Sequence, residues 1–369
     1  MAMKGSFDEK KLMIKVLEES LKAEGKVFPN PFVGALVLKN GEIIGKGFHN
    51  GFGEKHAERN ALDKAGQKAF GGKMLVSLEP CNFEGKQGAC TKEIIKAGIK
   101  ELIFLSYDKN PRVRGKGIEE LKRNGIRVKQ LRDKKMKKVF EDINAPFNKF
   151  IVEKKPFVLL KSSLSIDGVI SYGNRKKKRI SGKKWIGIQQ EMRKDVNGVL
   201  VGITTVLNDD PLLTYKKNER LNPIRIVLDD ELKTPLNAKL LRQKGKTMIF
   251  ASQKASKTKE LKLKRLGRKL KNSEIEVIRI KGKGGRLDLK TVLNKLGKEG
   301  VAFLLVEGGQ KIFSSFLKEK LYDRIVLGIN LKKKLRNKKN ALFFAEEEIK
   351  EIRLKGNTYR LGEDLIVEG

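Results

Sequence analysis

With 369 residues the chain has room for two domains of ordinary size, and its 39% hydrophobic content is enough for buried cores. It carries 82 Lys and Arg against 44 Asp and Glu, a net charge of +38, which favours anionic ligands: phosphates, dinucleotides or nucleic acid. Two cysteines exclude a disulfide framework, and the lack of any run of about 18 apolar residues excludes a membrane-spanning helix.

The first residues, Met1 to Asp8, have no apolar core of a signal peptide, so a cytoplasmic protein is expected. Ser6-x-x-Glu9 reads as a capping box ahead of a helix bearing Leu12, Met13, Val16, Leu17 and Leu21 at helical spacing. Pro29-Asn30-Pro31 leads into a strand over 35–39, Asn40-Gly41 is a hairpin turn, and 42–47 returns. Gly47-Phe48-His49, with Gly51 and Gly53, makes a loop into a helix headed by His56-Ala57-Glu58. A strand over 73–78 runs into Glu79-Pro80-Cys81, and Cys90 opens the next helix. Strands over 101–106 and 126–131 follow, separated by a long turn over 108–117 and a helix around 118–123. Alternation of strand and helix predicts an α/β sheet covered on both faces.

A catalytic zinc needs three protein ligands and an open position for water, and His56, Cys81 and Cys90 can supply the three. A His-x-Glu followed by Pro-Cys and a second Cys marks zinc-dependent base deaminases, although the usual spacing is Pro-Cys-x-x-Cys and here eight residues intervene. Zinc brings the pKa of a bound water to about 7, and Glu58 is placed to move the proton without ligating the metal. Cys90, at a helix N-terminus, is expected to have its thiolate stabilised by the helix dipole. Two other readings stand beside this one: two buried free thiols with a surface histidine, and a closed structural site with His49 as fourth ligand. Asn30 and His49 flank strands whose ends could meet the zinc cleft, or they cap turns.

A domain boundary is placed near residue 150, dividing the chain into 1–150 and 151–369. The second part alternates again, with strands at 157–161 and near 198–202, 224–228, 247–251, 275–280, 301–306 and 324–329. Its helices fall near 257–270, 287–298 and 310–318. Val306-Glu307-Gly308-Gly309-Gln310 follows a strand and opens a helix, where backbone N–H groups can hold a phosphate. Val201-Gly202-Ile203-Thr204-Thr205 leaves a buried strand at a glycine and continues into Asp209-Asp210-Pro211, while Ser165-Ile166-Asp167-Gly168 leaves the first strand. No G-x-G-x-x-G occurs among them, so the ordinary dinucleotide fingerprint is absent.

Taken together these residues resemble the bifunctional deaminase/reductase family of bacterial riboflavin biosynthesis, over nearly the whole chain. In the first half the resemblance rests on Pro29-Asn30-Pro31-x-Val33-Gly34, Gly47-x-His49, His56-Ala57-Glu58, Leu78-Glu79-Pro80-Cys81 with Cys90, and Asn110-Pro111-x-Val113. In the second it rests on Lys161, Ser165-x-Asp167-Gly168, Gly202 with Thr205-Val206-Leu207, Asp209-Asp210-Pro211, Leu228-Asp229 and Val306-Glu307-Gly308-Gly309. It implies an N-terminal cytidine-deaminase-like α/β/α domain and a C-terminal dihydrofolate-reductase-like α/β domain. It further implies zinc-dependent deamination of a diaminopyrimidinone bearing a ribosylamino 5′-phosphate, then reduction of the ribosyl to a ribityl chain by NADPH. By the same resemblance one zinc per chain is held by His56, Cys81 and Cys90, Glu58 is the proton carrier, and Asn30 and His49 line the pyrimidine pocket. Leu164, Arg179, Thr205, Asp209, Asp230, Gly309, Gln310, Lys311, Ile312, Phe313, Ser314 and Ser315 are implied at the cofactor. Lys177, Arg193, Leu213, Lys216 and Glu307 are implied at the reductase substrate, the basic pair Arg193 and Lys216 facing its phosphate.

The chain departs from the family pattern at Phe83, where a His is usual, and at Gln87-Gly88-Ala89, before the second zinc cysteine. Lys177 and Arg179 replace a Ser and a Trp, and Asp230 carries a charge that would repel a 2′-phosphate. A homo-oligomer, dimer or tetramer, is expected, with no membrane or nucleic-acid partner. Two rival readings are a nucleic-acid deaminase with a basic accessory domain, which the charge favours, and an RNA-binding protein with a structural zinc.

Overall fold

The structure, a computed structural model, describes residues 4–23, 25, 27–83, 88–171, 180–283, 286–334, 342–343 and 356–369. Gln87, Lys177 and Arg179 lie outside the described residues. The chain divides into two compact units, Met1–Lys154 and Lys155–Gly369.

The first unit runs α1 (Lys4–Ser20), β1 (Gly34–Lys39), β2 (Glu42–Phe48), α2 (Ala57–Ala65), β3 (Lys73–Leu78), α3 (Cys90–Lys96), β4 (Glu101–Ser106), α4 (Lys116–Arg123), β5 (Arg127–Gln130), α5 (Lys134–Ile143) and α6 (Ala145–Glu153). Its strands form one sheet in the order β2-β1-β3-β4-β5, with β1 antiparallel to both neighbours and the rest parallel. The hairpin turn Asn40-Gly41 has positive φ at both residues, as a two-residue hairpin requires.

Two helices cover opposite faces of this sheet, and glycines show how closely. A Cβ at Gly34 would lie 2.1 Å from the Val16 carbonyl of α1, whereas one at Gly47 would lie 2.2 Å from the Ala57 carbonyl of α2. Gly47 pairs with Ala35, the residue after Gly34. Side chains alternate faces along a strand, so α1 and α2 lie on different sides and the unit is three-layered. Met13, Val16 and Leu17 of α1 enter the core, but Leu21 lies beyond the helix and is exposed. Ser6, expected as a cap, lies inside α1, whose helical backbone begins at Lys4; a cap residue must stand outside that backbone.

The second unit contains β6 (Phe157–Ser165), β7 (Val169–Ser171), α7 (Lys183–Lys194), β8 (Gly198–Gly202), α8 (Ile203–Asp209), β9 (Ile224–Leu228), β10 (Gly245–Ser252), α9 (Lys257–Lys269) and β11 (Ser273–Ile280). It continues with β12 (Gly282–Lys283), β13 (Arg286–Leu287), α10 (Leu289–Lys298), β14 (Phe303–Val306), α11 (Gln310–Lys318), β15 (Arg324–Asn330), β16 (Leu342–Phe343), β17 (Thr358–Leu361) and β18 (Asp364–Glu368). Nine strands form one sheet, ordered β11-β10-β9-β8-β14-β6-β15-β18-β17, parallel except for the terminal hairpin β17–β18. Val158 and Leu160 of β6 enter the core on one face and Leu159 the core on the other. Among the described residues no helix is long and apolar enough to cross a membrane.

Sequence periodicity does not reveal α7, whose N-terminus depends on a residue far along the chain. Asp364 of β18 is fully buried and accepts from the Gly182 N–H through both carboxylate oxygens, at 3.2 and 3.0 Å, and from Asn330 Nδ2 at 3.1 Å. Gly182 leaves room for that carboxylate, just as Gly328 of β15 leaves room for the buried Trp185 of α7.

Candidate active sites

His56 stands at the N-cap of α2 in extended backbone, Cys81 follows β3, and Cys90 is the first residue of α3. The three come together, with one ligand atom from each lying within 4.8 Å of the others. His56 Nδ1 is 3.2 Å from Cys90 Sγ and 3.6 Å from Cys81 Sγ. Tetrahedral zinc, with bonds of about 2.3 Å to sulfur and about 2.0 Å to nitrogen, separates such atoms by about 3.6 Å, so the donor set fits zinc in kind and in spacing.

Electrostatics within the cluster are uneven. Hydrogen bonding with the Cys90 thiol, and then with His56, pulls the Cys81 thiol down to about 4. The same bond and burial push Cys90 well above its ordinary value. Without a metal the two sulfurs share one proton, and Cys81 also accepts the Cys90 backbone N–H at 3.5 Å; a bound zinc takes both as thiolates. His56 is raised, first by its bond to Cys81. Glu58, in the first turn of α2, is only 4% exposed, and burial lifts its carboxyl to about 7. A carboxyl poised there can both accept and donate a proton near neutrality.

His49 is excluded as a fourth ligand by its own bonds. Its Nδ1 faces the Lys55 carbonyl at 3.2 Å and its Nε2 faces Asn30 Nδ2 at 3.0 Å. Burial depresses it to about 4, so the ring is neutral, with the proton on Nδ1 and Nε2 accepting from Asn30. The His49 and His56 rings meet edge-on at 5.3 Å, which places the Asn30–His49 pair beside the ligand cluster. Phe83 is exposed. Asn82 Oδ1, next to Cys81, is buried without a hydrogen-bond partner, an acceptor that sequence reading passed over.

A second overlooked residue is Glu79, where an acid at the end of a buried strand was the available signal. Its carboxylate accepts from the backbone N–H groups of Gly115 at 3.0 Å, Asp108 at 3.4 Å and Ile118 at 3.4 Å. It therefore ties the start of α4 and the preceding turn to the Pro80-Cys81 segment, and a Cβ at Gly117 would lie 2.0 Å from the Pro80 carbonyl. Glu79→Ala is expected to cost the first unit about 1–3 kcal/mol, since buried donors lose their acceptor, and to weaken zinc retention. Denaturant unfolding with chelator competition reads both, and wild-type values in both would show that the turn holds Cys81 without Glu79.

In the second unit, Lys161 of β6, Arg193 of α7 and Glu307 after β14 meet. Arg193 donates to Glu307 from Nε at 3.3 Å and from Nη2 at 2.6 Å, and from Nη1 to the Thr214 carbonyl at 3.3 Å. Lys161 Nζ is 4.0 Å from Glu307 and 3.2 Å from Gln189 Oε1. Burial alone would raise the Glu307 carboxyl, but the charges of Lys161 and Arg193 hold it below its usual range. Burial lowers Lys161, against the pull of Glu307. Lys161 belongs to this cluster although motif reading assigned it no role.

Gly202 ends β8 and Gly308 follows the adjacent β14, and each would drive a Cβ into Ile312, at 2.7 and 2.4 Å. Neither α8 nor α11 has a side-chain cap at its N-terminus, and Thr205 Oγ1 lies 3.8 Å from where a Gly309 Cβ would be. Ser314 Oγ is buried without a partner. Two glycine turns with uncapped helical N–H groups fit a phosphate-bearing cofactor. The run Gly309 to Ser315 is mostly helix, so its side chains point in different directions. Ile312 packs beneath the turns, Phe313 lies in the core with its N–H bonded to Gly309, and Ser315 Oγ donates to the Lys311 carbonyl. Leu164 and Leu213 are likewise buried in the cores, Leu213 at positive φ, whereas Lys216, Asp209 and Lys311 are exposed and Gln310 and Asp230 half-buried.

Two family models match the chain: the cytidine and deoxycytidylate deaminase zinc-binding region over residues 7–106, and the RibD C-terminal domain over 156–331. The riboflavin biosynthesis protein RibD of Aquifex aeolicus is 36% identical over 323 residues, covering 87% of this chain and 86% of the relative. That of Bacillus amyloliquefaciens is 34% identical over 319 residues, covering 86% and 83%. Among solved structures, Acinetobacter baumannii RibD superposes with a TM-score of 0.84 at 28% identity over 98% of both chains. A diaminohydroxyphosphoribosylaminopyrimidine deaminase/5-amino-6-(5-phosphoribosylamino)uracil reductase from Thermotoga maritima gives 0.80 at 28% over 99% of both. With a zinc-type deaminase centre in one α/β unit and a reductase-type sheet in the other, the chain belongs to the RibD family of bifunctional riboflavin-biosynthesis deaminase/reductases.

Proposed function

We propose that the first unit deaminates a 2,5-diamino-6-ribosylamino-4(3H)-pyrimidinone 5′-phosphate, and that the second reduces the ribosyl group of the product to a ribityl chain. The observation that carries the first half is the triad of His56, Cys81 and Cys90 with the buried acid Glu58 beside it. Zinc bound there acidifies water enough to make a nucleophile available near neutral pH. Glu58 takes the proton of the attacking water and delivers it to the departing amine, which leaves as ammonia. Asn30 holds the ring: its amide N–H is turned to His49 and its Oδ1 is left to accept from the pyrimidine. His49, neutral and bonded on both sides, keeps Asn30 in that orientation.

In the second unit the uncapped turns at Gly202 and Gly309 receive the phosphates of a reduced nicotinamide dinucleotide, which supplies the reducing equivalents; NADPH is the coenzyme the family resemblance implies. Thr205 adds its hydroxyl to that cradle, and Ser314 is a cofactor residue by the family resemblance alone. Glu307, held by Arg193 and Lys161, meets the ribosyl hydroxyls. Because Glu307 and the Thr214 carbonyl between them engage all three Arg193 nitrogens, the exposed Lys216 is the better placed of the two cations for the substrate phosphate. Incubation of the zinc-loaded protein with the pyrimidine phosphate tests both halves. Ammonia is expected without added dinucleotide, and dinucleotide oxidation only after deamination. No ammonia from zinc-loaded protein would sink the first half, and no oxidation with the deaminated compound supplied directly would sink the second.

A further inference from the structure

β8, α8 and β9 form a strand–helix–strand unit in which β8 and β9 are parallel neighbours, Gly202 lying opposite Leu228. In doubly wound dinucleotide-binding units a phosphate-binding turn follows the first strand; β8–α8–β9 lacks their glycine fingerprint but shares the order of turn, helix and strand end. An acidic residue at the end of the second accepts from the ribose 2′-hydroxyl of NAD, whereas an arginine nearby accommodates the 2′-phosphate of NADP. Here β9 ends on two acids, Asp229 and Asp230, and they are not equivalent.

Asp229 is fully buried and closed into its own turn. Its carboxylate accepts from the N–H groups of Lys233 at 2.8 Å and Thr234 at 2.7 Å, and from Thr234 Oγ1 at 2.6 Å. Asp230 is half-buried, and its carbonyl accepts from the Ser252 N–H at 3.0 Å, which places it at the rim where β9 and the adjacent β10 end. The charges acting on its carboxylate are Asp229 and Glu231 on one side of the balance and Arg286 on the other, with the Leu287 N–H as a hydrogen-bond donor. The turn after β8 adds no cation, since Gly202 is followed by Ile203, Thr204 and Thr205. With Glu231 paired to Lys233 at 2.9 Å, Asp229 and Asp230 stand against the Arg286 guanidinium, a poorer seat for a dianionic 2′-phosphate than for a hydroxyl donor. A built-in repulsive group of this kind discriminates as effectively as an added attraction.

We propose that Asp230 reads the ribose 2′ position of the coenzyme, so that this reductase unit takes NADH at least as well as NADPH. The inference rests on the second unit binding a nicotinamide dinucleotide. It is tested on the full-length, zinc-loaded protein by calorimetric titration with NADH and with NADPH, no substrate present. Wild type is expected to bind NADH with a dissociation constant no larger than that for NADPH. Asp230→Ser should shift the ratio towards NADPH by about tenfold or more, the scale set by removing a close like-charge contact. Asp230→Asn, which keeps the shape and the Leu287 contact, should shift it the same way. Tighter NADPH binding by wild type, or a ratio unchanged in both variants, overturns the proposal and leaves the reductase reading standing. Binding of neither dinucleotide by folded wild type overturns both.

Discussion

Replacing Glu58 by Gln is expected to lower ammonia release by about 10²–10⁴-fold, the range for a positioned proton carrier, while zinc stays near one per chain. The side chain ligates nothing in the His56, Cys81 and Cys90 cluster, and the amide is nearly isosteric, so the metal set survives. Lost is a group that can hold a proton and give it up: burial lifts the Glu58 carboxyl to about 7, and an amide has no such equilibrium. The deaminated intermediate, supplied directly, should still be reduced, because the Lys161–Glu307–Arg193 cluster belongs to the other unit. Metal analysis and an ammonia assay on the same preparation separate the outcomes. Retained ammonia release within a few-fold would remove Glu58 from the chemistry, and loss of zinc with activity would make its role structural.

Glu307→Ala is expected to destabilise the second unit by about 3–5 kcal/mol, as removing one partner of a buried ion pair does. The Glu307 side chain is 7% exposed, and its partners Arg193 and Lys161 are 14% and 11% exposed. Without the carboxylate both cations are stranded in a poorly solvated site. Lys161, already lowered by burial, can shed its proton, but the guanidinium cannot. Arg193→Ala should cost less, because Lys161 remains to balance Glu307. The single tryptophan, Trp185, is buried in the second unit, so its fluorescence in a denaturant titration follows that unit. The ranking Glu307→Ala above Arg193→Ala is the outcome to check. A loss under about 1 kcal/mol for Glu307→Ala would place the cluster in a wetter setting than its burial indicates. Ammonia release should be untouched in either variant.

Sequence spacing led directly to the deaminase centre because its chemistry is local. Each ligand sits at a punctuated position: His56 before a helix, Cys81 after a Pro at a strand end, Cys90 opening a helix. Such positions are readable from residue types and periodicity. The long, strongly periodic elements were equally legible, including the strands ending at Gly202 and Val306 and the helix after Gly309. Elements whose ends depend on distant partners were not. α7 starts where Asp364 reaches Gly182, and Trp185 is admitted by Gly328, contacts that no window of neighbouring residues contains. Arg225, mid-strand and fully buried, reads as a misplaced charge until its guanidinium is seen bonded to Thr247 Oγ1 and to the carbonyls of Gln243, Lys244 and Gly245.

The same division holds for the site residues. Residue type and order were sufficient for the metal set, the acid beside it and the two-part architecture, because ligand chemistry and hydrophobic period are properties of short stretches. Packing settled that His49 is closed to metal by Asn30 and Lys55, that Glu79 braces the Cys81 segment, and that Arg193 turns to Glu307. Each of those outcomes depends on burial and on donors and acceptors brought together from distant parts of the chain, and neither quantity exists before the fold does.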